Sequence, residues 1–143
     1  MRIAKSAGFT LIEAIAVLLL IGVVGAVVLT TAPSIDSYRL ASEVQTLKGH
    51  LRYAQLRAMS AQVPWGISYM GASYTLLKGG APVSFHLPNE NSATHLFPSG
   101  ISITSAAGSA SFDQWGSPGG VNLVIVLNGS ETITITRNTG FIP

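Results

Sequence analysis

Residues 9–29 read FTLIEAIAVLLLIGVVGAVVL, and this stretch decides how the rest of the chain is interpreted. Apart from Thr10 and Glu13, every residue in it is apolar or glycine. As an α-helix, the stretch would rise about 32 Å, which is enough to cross the hydrocarbon core of a bilayer. The stretch therefore predicts an N-terminal hydrophobic helix over residues 9–35, and the carboxylate of Glu13 is the feature of that helix that needs an explanation.

The segment before this helix is short and basic, since residues 1–8 contain Arg2 and Lys5. Positive charge next to a hydrophobic helix favours a cytoplasmic N-terminus. The sequence therefore predicts a single-pass membrane protein whose remaining chain lies across the membrane.

Residues 36–62 are predicted to form the second, amphipathic half of the same N-terminal helix. Its apolar residues recur at alternating intervals of four and three, which places them in one stripe on a single face: Leu40, Val44, Leu47, Leu51, Ala54, Ala58 and Ala61. We expect this stripe to pack on the domain that follows, and Pro64 to end the helix. If residues 9–62 form one helix, Gly22, Gly25 and Pro33 are its flexible points, where a bend or local melting is expected.

From Val63 onward the pattern is typical of β-strands. Candidate strands cover 65–70, 73–78, 83–87, 101–105, 110–113, 121–128 and 131–137. Asn128-Gly129-Ser130 between the last two predicts a hairpin. The sequence thus predicts an α+β protein with a long N-terminal helix packed on a small, mostly antiparallel sheet in residues 63–143.

Composition excludes several function classes. The chain has 143 residues and no cysteine, so disulfides and thiolate sites are absent. Without residues 1–8, six basic residues face six acidic ones, which leaves no basic excess for nucleic acid. The three histidines lack metal-ligand spacing, and no nucleotide-binding or nucleophile motif occurs. We therefore expect no catalytic residues, no metal and no cofactor.

Three interpretations of the N-terminus compete. A secretory signal peptide would be cut near Ala32, and a simple one-pass anchor would leave Glu13 unexplained. The third rests on Ala7-Gly8-Phe9-Thr10-Leu11-Ile12-Glu13, which resembles the processing site of type IV prepilins and type II secretion pseudopilins. This resemblance implies cleavage between Gly8 and Phe9 by prepilin peptidase, N-methylation of Phe9 (N-methylphenylalanine), and a type IV pilin-like fold.

The same resemblance implies a location and partners. The subunit would sit in the bacterial inner membrane, with its N-terminus cytoplasmic and its C-terminal domain periplasmic, before it enters a filament. Its partners would be prepilin peptidase, other pilin or pseudopilin subunits and the inner-membrane assembly platform. In this family the glutamate at the position of Glu13 is thought to meet the N-terminal amine of a neighbouring subunit. The other interpretation of Glu13 is a side chain that only reaches towards lipid headgroups.

Weaker similarities point to the GspH/FimT group and to MSHA-type minor pilins. They lie in Leu51-Arg52-Tyr53-Ala54-Gln55 with Ala58-Met59, in Phe112-Asp113-Gln114-Trp115-Gly116, and in Ile133-Thr134-Ile135-Thr136 with Gly140-Phe141-Ile142. They imply a minor pilin or pseudopilin of a type IV pilus or a type II secretion system. A DNA-binding or adhesive minor pilin is the alternative, and a major pilin stays open.

The aromatic residues Trp65, Tyr69 and Tyr74 allow two interpretations. They could form a surface on which sugars or bases stack, or they could pack in the core of the early strands. His50 lies near the helical stripe, where we expect a partly packed or solvated side chain.

Overall fold

The computed structural model describes residues 9–31 and 34–143, and in the first of these ranges it describes side chains as far as Val27. The described chain contains two helices and seven strands. It divides into two compact units, one that ends at Ile35 and one that begins at Asp36. The unit from Asp36 to Pro143 is called the globular unit below.

The first helix, α1, spans Leu11–Thr31 and runs without interruption through Gly22 and Gly25. The second, α2, spans Ile35–Ala61. Ser34 belongs to neither helix, so the single helix considered for residues 9–62 is not formed.

Among the described residues, no helix combines the length and the apolar character that crossing a membrane requires. The finding contradicts the predicted location in the inner membrane with a single pass, a cytoplasmic N-terminus and a periplasmic domain, and that location is withdrawn.

Helix α2 supplies one wall of the core of the globular unit. The buried apolar residues of α2 are those of the predicted stripe: Val44, Leu47, Leu51, Ala54 and Ala58. Leu40 packs against the cluster from its edge, and Ala61 is exposed at the last residue of the helix. His50 is buried on the same face, which the apolar spacing alone did not predict.

The strands form two antiparallel sheets. They are β1 (Trp65–Met70), β2 (Ser73–Lys78), β3 (Ala81–Pro82), β4 (Thr94–Leu96), β5 (Gly108–Phe112), β6 (Leu123–Leu127) and β7 (Glu131–Ile135). In the larger sheet the order is β3-β2-β1-β5, and β4 also pairs with β2. The smaller sheet is the β6–β7 hairpin, which turns at Asn128 and Gly129 with positive φ at both residues. The α+β class is therefore confirmed.

Two predicted strands are absent from the globular unit. Residues 83–87 form no strand, since they lie between Pro82 and Pro88 and bury only Leu87. In residues 101–105, Ile101 and Ile103 are buried as an alternating strand would have them, yet only Ile103 forms a bridge, to Leu127. The short strand β4 was not predicted, because three residues carry too little periodicity.

Gln55 of α2 links two loops at one end of the globular unit. Its side-chain amide donates to the carbonyl oxygens of Gly116 at 2.8 Å and Gly140 at 3.0 Å. We expect Gln55→Ala to lower the free energy of unfolding by about 1–3 kcal/mol, because both carbonyls lose a partly buried donor. Urea unfolding of the full chain measures the change. The control is Gln45→Ala, exposed on the same helix, which should change stability by less than about 0.5 kcal/mol.

Candidate functional site

The start of α1 is held by a threonine cap. The backbone N–H of Glu13 donates to the carbonyl oxygen of Thr10 at 3.1 Å and lies 3.4 Å from its Oγ1. Thr10 is thus the N-cap and Glu13 the third helical residue, the spacing of a capping box. A carboxylate in the first turn also interacts favourably with the helix dipole. This local role accounts for where Glu13 lies along the helix.

The apolar side chains of α1 are largely uncovered. Their exposed fractions range from 42% at Val17 to 80% at Leu11, and Phe9 before the helix is 74% exposed. Contiguous apolar surface of this extent marks an interaction site.

One face of α1 forms a shallow apolar groove. Its lining residues recur at helical spacing: Ile15, Leu18, Leu19, Gly22, Val23 and Ala26. A Cβ added at Gly22 would meet no heavy atom within 4 Å, so the small residue leaves the floor of the groove open. Ridges and grooves of this kind are the surfaces on which helices pack together.

The structure describes four of the predicted site residues and leaves two outside the described ranges. Phe9 and Glu13 lie at the exposed start of α1, and Gly22 lines its groove. Gly25 is helical, and a Cβ added to it would likewise meet nothing within 4 Å. Gly8 and Pro33 fall outside the described residues, so cleavage after Gly8 and a bend at Pro33 stay predictions.

A polar cluster in the globular unit was not predicted from the sequence. His95 of β4 lies between two carboxylates, with its Nε2 at 2.9 Å from Glu43 of α2 and its Nδ1 at 2.5 Å from Glu90. Each ring nitrogen of His95 thus faces a carboxylate oxygen, and its ring stacks on Tyr74 at a centroid distance of 4.8 Å.

His50 completes this cluster, and its contacts fit a neutral ring. Its Nε2 lies 2.9 Å from the carbonyl oxygen of Pro88, which can only accept, so Nε2 carries the proton. In the neutral ring Nδ1 then accepts from the hydroxyl of Tyr74 at 2.7 Å. Burial lowers the pKa of His50 below its usual value of 6.5, and His95 adds to this effect, whereas the hydrogen bond to Pro88 and the carboxylates of Glu90 and Glu43 oppose it.

Tyr74 is the hydrogen-bond donor to His50 and remains protonated. Burial raises the pKa of its hydroxyl, and the nearby charges of Glu43 and Glu90 raise it further. The name His95 cluster is used below for Glu43, His50, Tyr74, Glu90 and His95. Its members come from α2, β2, β4 and the loop before β4, so no spacing in the sequence signals it.

The His95 cluster is not arranged to bind a metal. All four nitrogens of its two histidines already face hydrogen-bond partners, two carboxylates for His95 and the Tyr74 hydroxyl and Pro88 carbonyl for His50. Over residues 9–31 and 34–143, no three histidine or acidic side chains form a group that could hold a metal ion.

The three aromatic residues considered as a stacking surface lie in the core. Trp65, Tyr69 and Tyr74 are at most 7% exposed, which confirms the packing interpretation. The exposed tryptophan is Trp115, in the loop after β5.

Comparison with known proteins gives no relative from which a function could be transferred. No family model, no curated protein and no solved structure matches this chain.

Proposed function

We propose that the chain is a minor pilin or pseudopilin, a subunit that assembles through α1 into a type IV pilus or a type II secretion pseudopilus. The observation that carries the proposal is the uncovered apolar surface of α1 with one carboxylate, Glu13, in its first turn. A type IV pilin-like fold, with an N-terminal helix and an α+β globular unit, is part of the proposal.

Burial of α1 among other helices supplies the driving force for assembly. Removing one leucine or isoleucine side chain from water stabilises the buried state by about 1.5–3 kcal/mol. Leu18 and Leu19 flank the groove and are 69% and 64% exposed. A neighbouring helix that fills the groove at Gly22 can approach the backbone of α1 closely, because no side chain stands in the way.

Assembly would also place Glu13 away from water. A buried carboxylate without a partner is strongly unfavourable, whereas one paired with a cation is tolerated. We propose that the cation is the N-terminal ammonium of Phe9 in a neighbouring subunit, after cleavage at Gly8. The pair would then fix the register of one subunit on the next.

The partners in this scheme are prepilin peptidase, the assembly platform and other pilin subunits. The DNA-binding alternative gains no support from the basic residues of the globular unit. Arg52 donates to the carbonyl oxygen of Ile142 at 2.9 Å, and Arg57 and Lys78 lie over the ring of Trp65. Arg57 and Lys78 share one contact and Arg52 has another, so these three cations are engaged within the globular unit.

Processing provides the direct test. The full chain is produced in a bacterium that has an active prepilin peptidase and assembles filaments. We expect mass spectrometry to find a mature chain that begins at N-methylated Phe9 and that copurifies with the filaments. In a strain without the peptidase, the same chain should begin at Met1. A chain cut near Pro33, or one left intact beside an active peptidase, would contradict the proposal.

A further inference from the structure

The turn of the β6–β7 hairpin carries the only Asn-Gly pair in the sequence, Asn128-Gly129, which is called the hairpin tip below. Asparagine followed by glycine is the pair most prone to spontaneous deamidation, because glycine has no Cβ to hinder attack by its backbone nitrogen on the asparagine side chain. Both residues are exposed and have positive φ, 48° and 70°. Solvent therefore reaches the hairpin tip, and its hydrogen bonds decide whether the reaction can begin.

The side chain of Asn128 is held by the neighbouring segment of residues 100–104. Its Oδ1 accepts from the N–H of Ser102 at 2.8 Å, and its Nδ2 donates to the carbonyl oxygen of Gly100 at 2.8 Å. The reverse orientation of the amide would set an N–H group against an N–H group and an oxygen against a carbonyl oxygen, so these two partners fix its orientation. The backbone N–H of Asn128 also donates to the carbonyl oxygen of Ser102 at 2.9 Å.

The attacking nitrogen is bonded to the same segment. The N–H of Gly129 donates to Oγ1 of Thr104 at 2.9 Å. Attack on Cγ of Asn128 requires this nitrogen to lose its proton, and it requires the side chain of Asn128 to leave its partners and turn towards its own main chain. Both reacting groups are therefore engaged as long as the hairpin tip stays on residues 100–104.

We propose that Asn128 is a self-modification site, which residues 100–104 keep closed and which deamidates when the hairpin tip separates from them. The nitrogen of Gly129 forms a bond to Cγ of Asn128, the bond from Cγ to Nδ2 breaks, and Nδ2 leaves as ammonia with the proton that Gly129 gives up. Water then opens the resulting succinimide at either of its two carbonyl carbons, which yields aspartate or isoaspartate. The inference is independent of filament assembly, because every group involved belongs to the globular unit.

Deamidation weakens the closure that delayed it. Aspartate at position 128 keeps an oxygen for the N–H of Ser102 but has no donor for Gly100, so a carboxylate oxygen is set against a carbonyl oxygen. The new negative charge lies in a groove of about 210 Å³ that position 128 shares with Asp36 and Arg39 of α2. The modified hairpin tip therefore opens more readily than the original one.

Comparison of the folded and the unfolded chain tests the proposal. The full chain is incubated at mildly alkaline pH with and without urea, and peptide mapping by mass spectrometry measures the conversion of Asn128 to the acid. Methylation by an isoaspartyl methyltransferase identifies the isoaspartate. We expect Asn128 to deamidate at least about tenfold more slowly in the folded chain, because the reaction there requires local opening. Equal rates, or a faster reaction in the folded chain, would overturn the proposal.

Thr104→Val tests whether residues 100–104 provide the closure. Valine has nearly the shape of threonine but no acceptor for the N–H of Gly129. The folded variant should deamidate about fivefold faster, the change that corresponds to one hydrogen bond of ordinary strength. The matched control is Thr132→Val, an exposed threonine of β7 in the same hairpin, which should keep the original rate. With folding verified by circular dichroism, an unchanged rate in Thr104→Val, or an equal increase in both variants, would contradict the proposal.

Asn128→Asp reproduces the modified state and tests its consequence. Amide hydrogen exchange at Gly129 should become about fivefold faster, because the closed state has lost the bond to Gly100. The control is Asn122→Asp, which keeps the side-chain oxygen that accepts from the N–H of Arg137 and should leave exchange at Gly129 unchanged. Unchanged exchange in Asn128→Asp would show that deamidation does not open the hairpin tip and would overturn this part of the proposal.

Discussion

Gly66→Ala is expected to lower the free energy of unfolding of the globular unit by about 3 kcal/mol or more, the largest effect of any single methyl group that we consider. A Cβ at this position would lie 2.7 Å from the Cα of Ser111 and would collide with the carbonyl oxygen of Ala110. Both obstacles are backbone atoms of β5, so no side-chain rotation relieves them. The pairing of β1 with β5, where Gly66 faces Ser111, would have to shift, and overpacking of this kind is strongly destabilising.

Urea unfolding followed by circular dichroism measures this effect, and Gly49→Ala is its control. Gly49 lies within α2, and a Cβ there would meet nothing within 4 Å. Alanine has the higher helix propensity, so Gly49→Ala should stabilise the protein by about 0.5–1 kcal/mol. Equal effects of the two substitutions would show that contact with β5 is not what requires glycine at position 66.

The parts of the fold that the sequence predicts are those with a local periodic signal. The apolar stripe extends along most of α2, and its buried residues, including Leu47 and Leu51, are the ones that the spacing selects. The strands β1 and β2 were predicted with the bounds that they have, because Gly71 and Gly79 follow them with positive φ. In each case the bounds or the buried face of the element can be predicted from residues that are close together in the sequence.

The predicted strands that are missing show that periodicity in the sequence does not determine backbone pairing. Residues 101–105 alternate apolar and polar side chains as a strand would, but their backbone does not run in regular register with β6. The N–H groups of Thr104 and Ser105 both donate to the carbonyl oxygen of Val126. Burial of Ile101 and Ile103 satisfies the pattern without a ladder. Periodicity reports which side chains are buried and not which hydrogen bonds the backbone forms.

The two candidate sites also differ in whether their contacts join residues that are close in the sequence. Thr10 and Glu13 are three residues apart, so their capping relation can be predicted from the sequence once α1 is assigned. Glu43 and His95 are 52 residues apart and meet because α2 packs beside β4. Neither residue stands out by composition or spacing, and their contact becomes visible only when the sheet order is known.

Glu13→Gln is expected to leave processing intact and to reduce incorporation of the subunit into filaments by tenfold or more. The backbone N–H of residue 13 can still donate to Thr10, and glutamine suits the third helical position as glutamate does, so α1 should begin at the same residue. What the substitution removes is the negative charge. Loss of one partner from a buried ion pair costs about 3–5 kcal/mol, and about 1.4 kcal/mol corresponds to a tenfold change in an equilibrium.

Quantitative mass spectrometry of purified filaments measures this incorporation against the level of the subunit in whole cells. The control is Asp36→Asn, which removes the acidic residue in the first turn of α2. Asp36 has a side chain that is 91% exposed and lies 3.8 Å from Arg39, and an exposed pair of this kind contributes at most about 1 kcal/mol. Asp36→Asn should therefore enter filaments as the unaltered chain does.

The pair of variants separates the two roles of Glu13. If the carboxylate serves only the cap and the dipole of α1, glutamine replaces it at a cost of a few tenths of a kcal/mol, and incorporation hardly changes. If it pairs with an ammonium inside the filament, glutamine cannot replace it, and the subunit is processed but left out. Normal incorporation of Glu13→Gln would thus remove the pairing role and retain the cap, whereas correct cleavage before Phe9 would still support the filament proposal. A chain that is processed, helical and excluded from filaments is the result that only an ion pair between subunits explains.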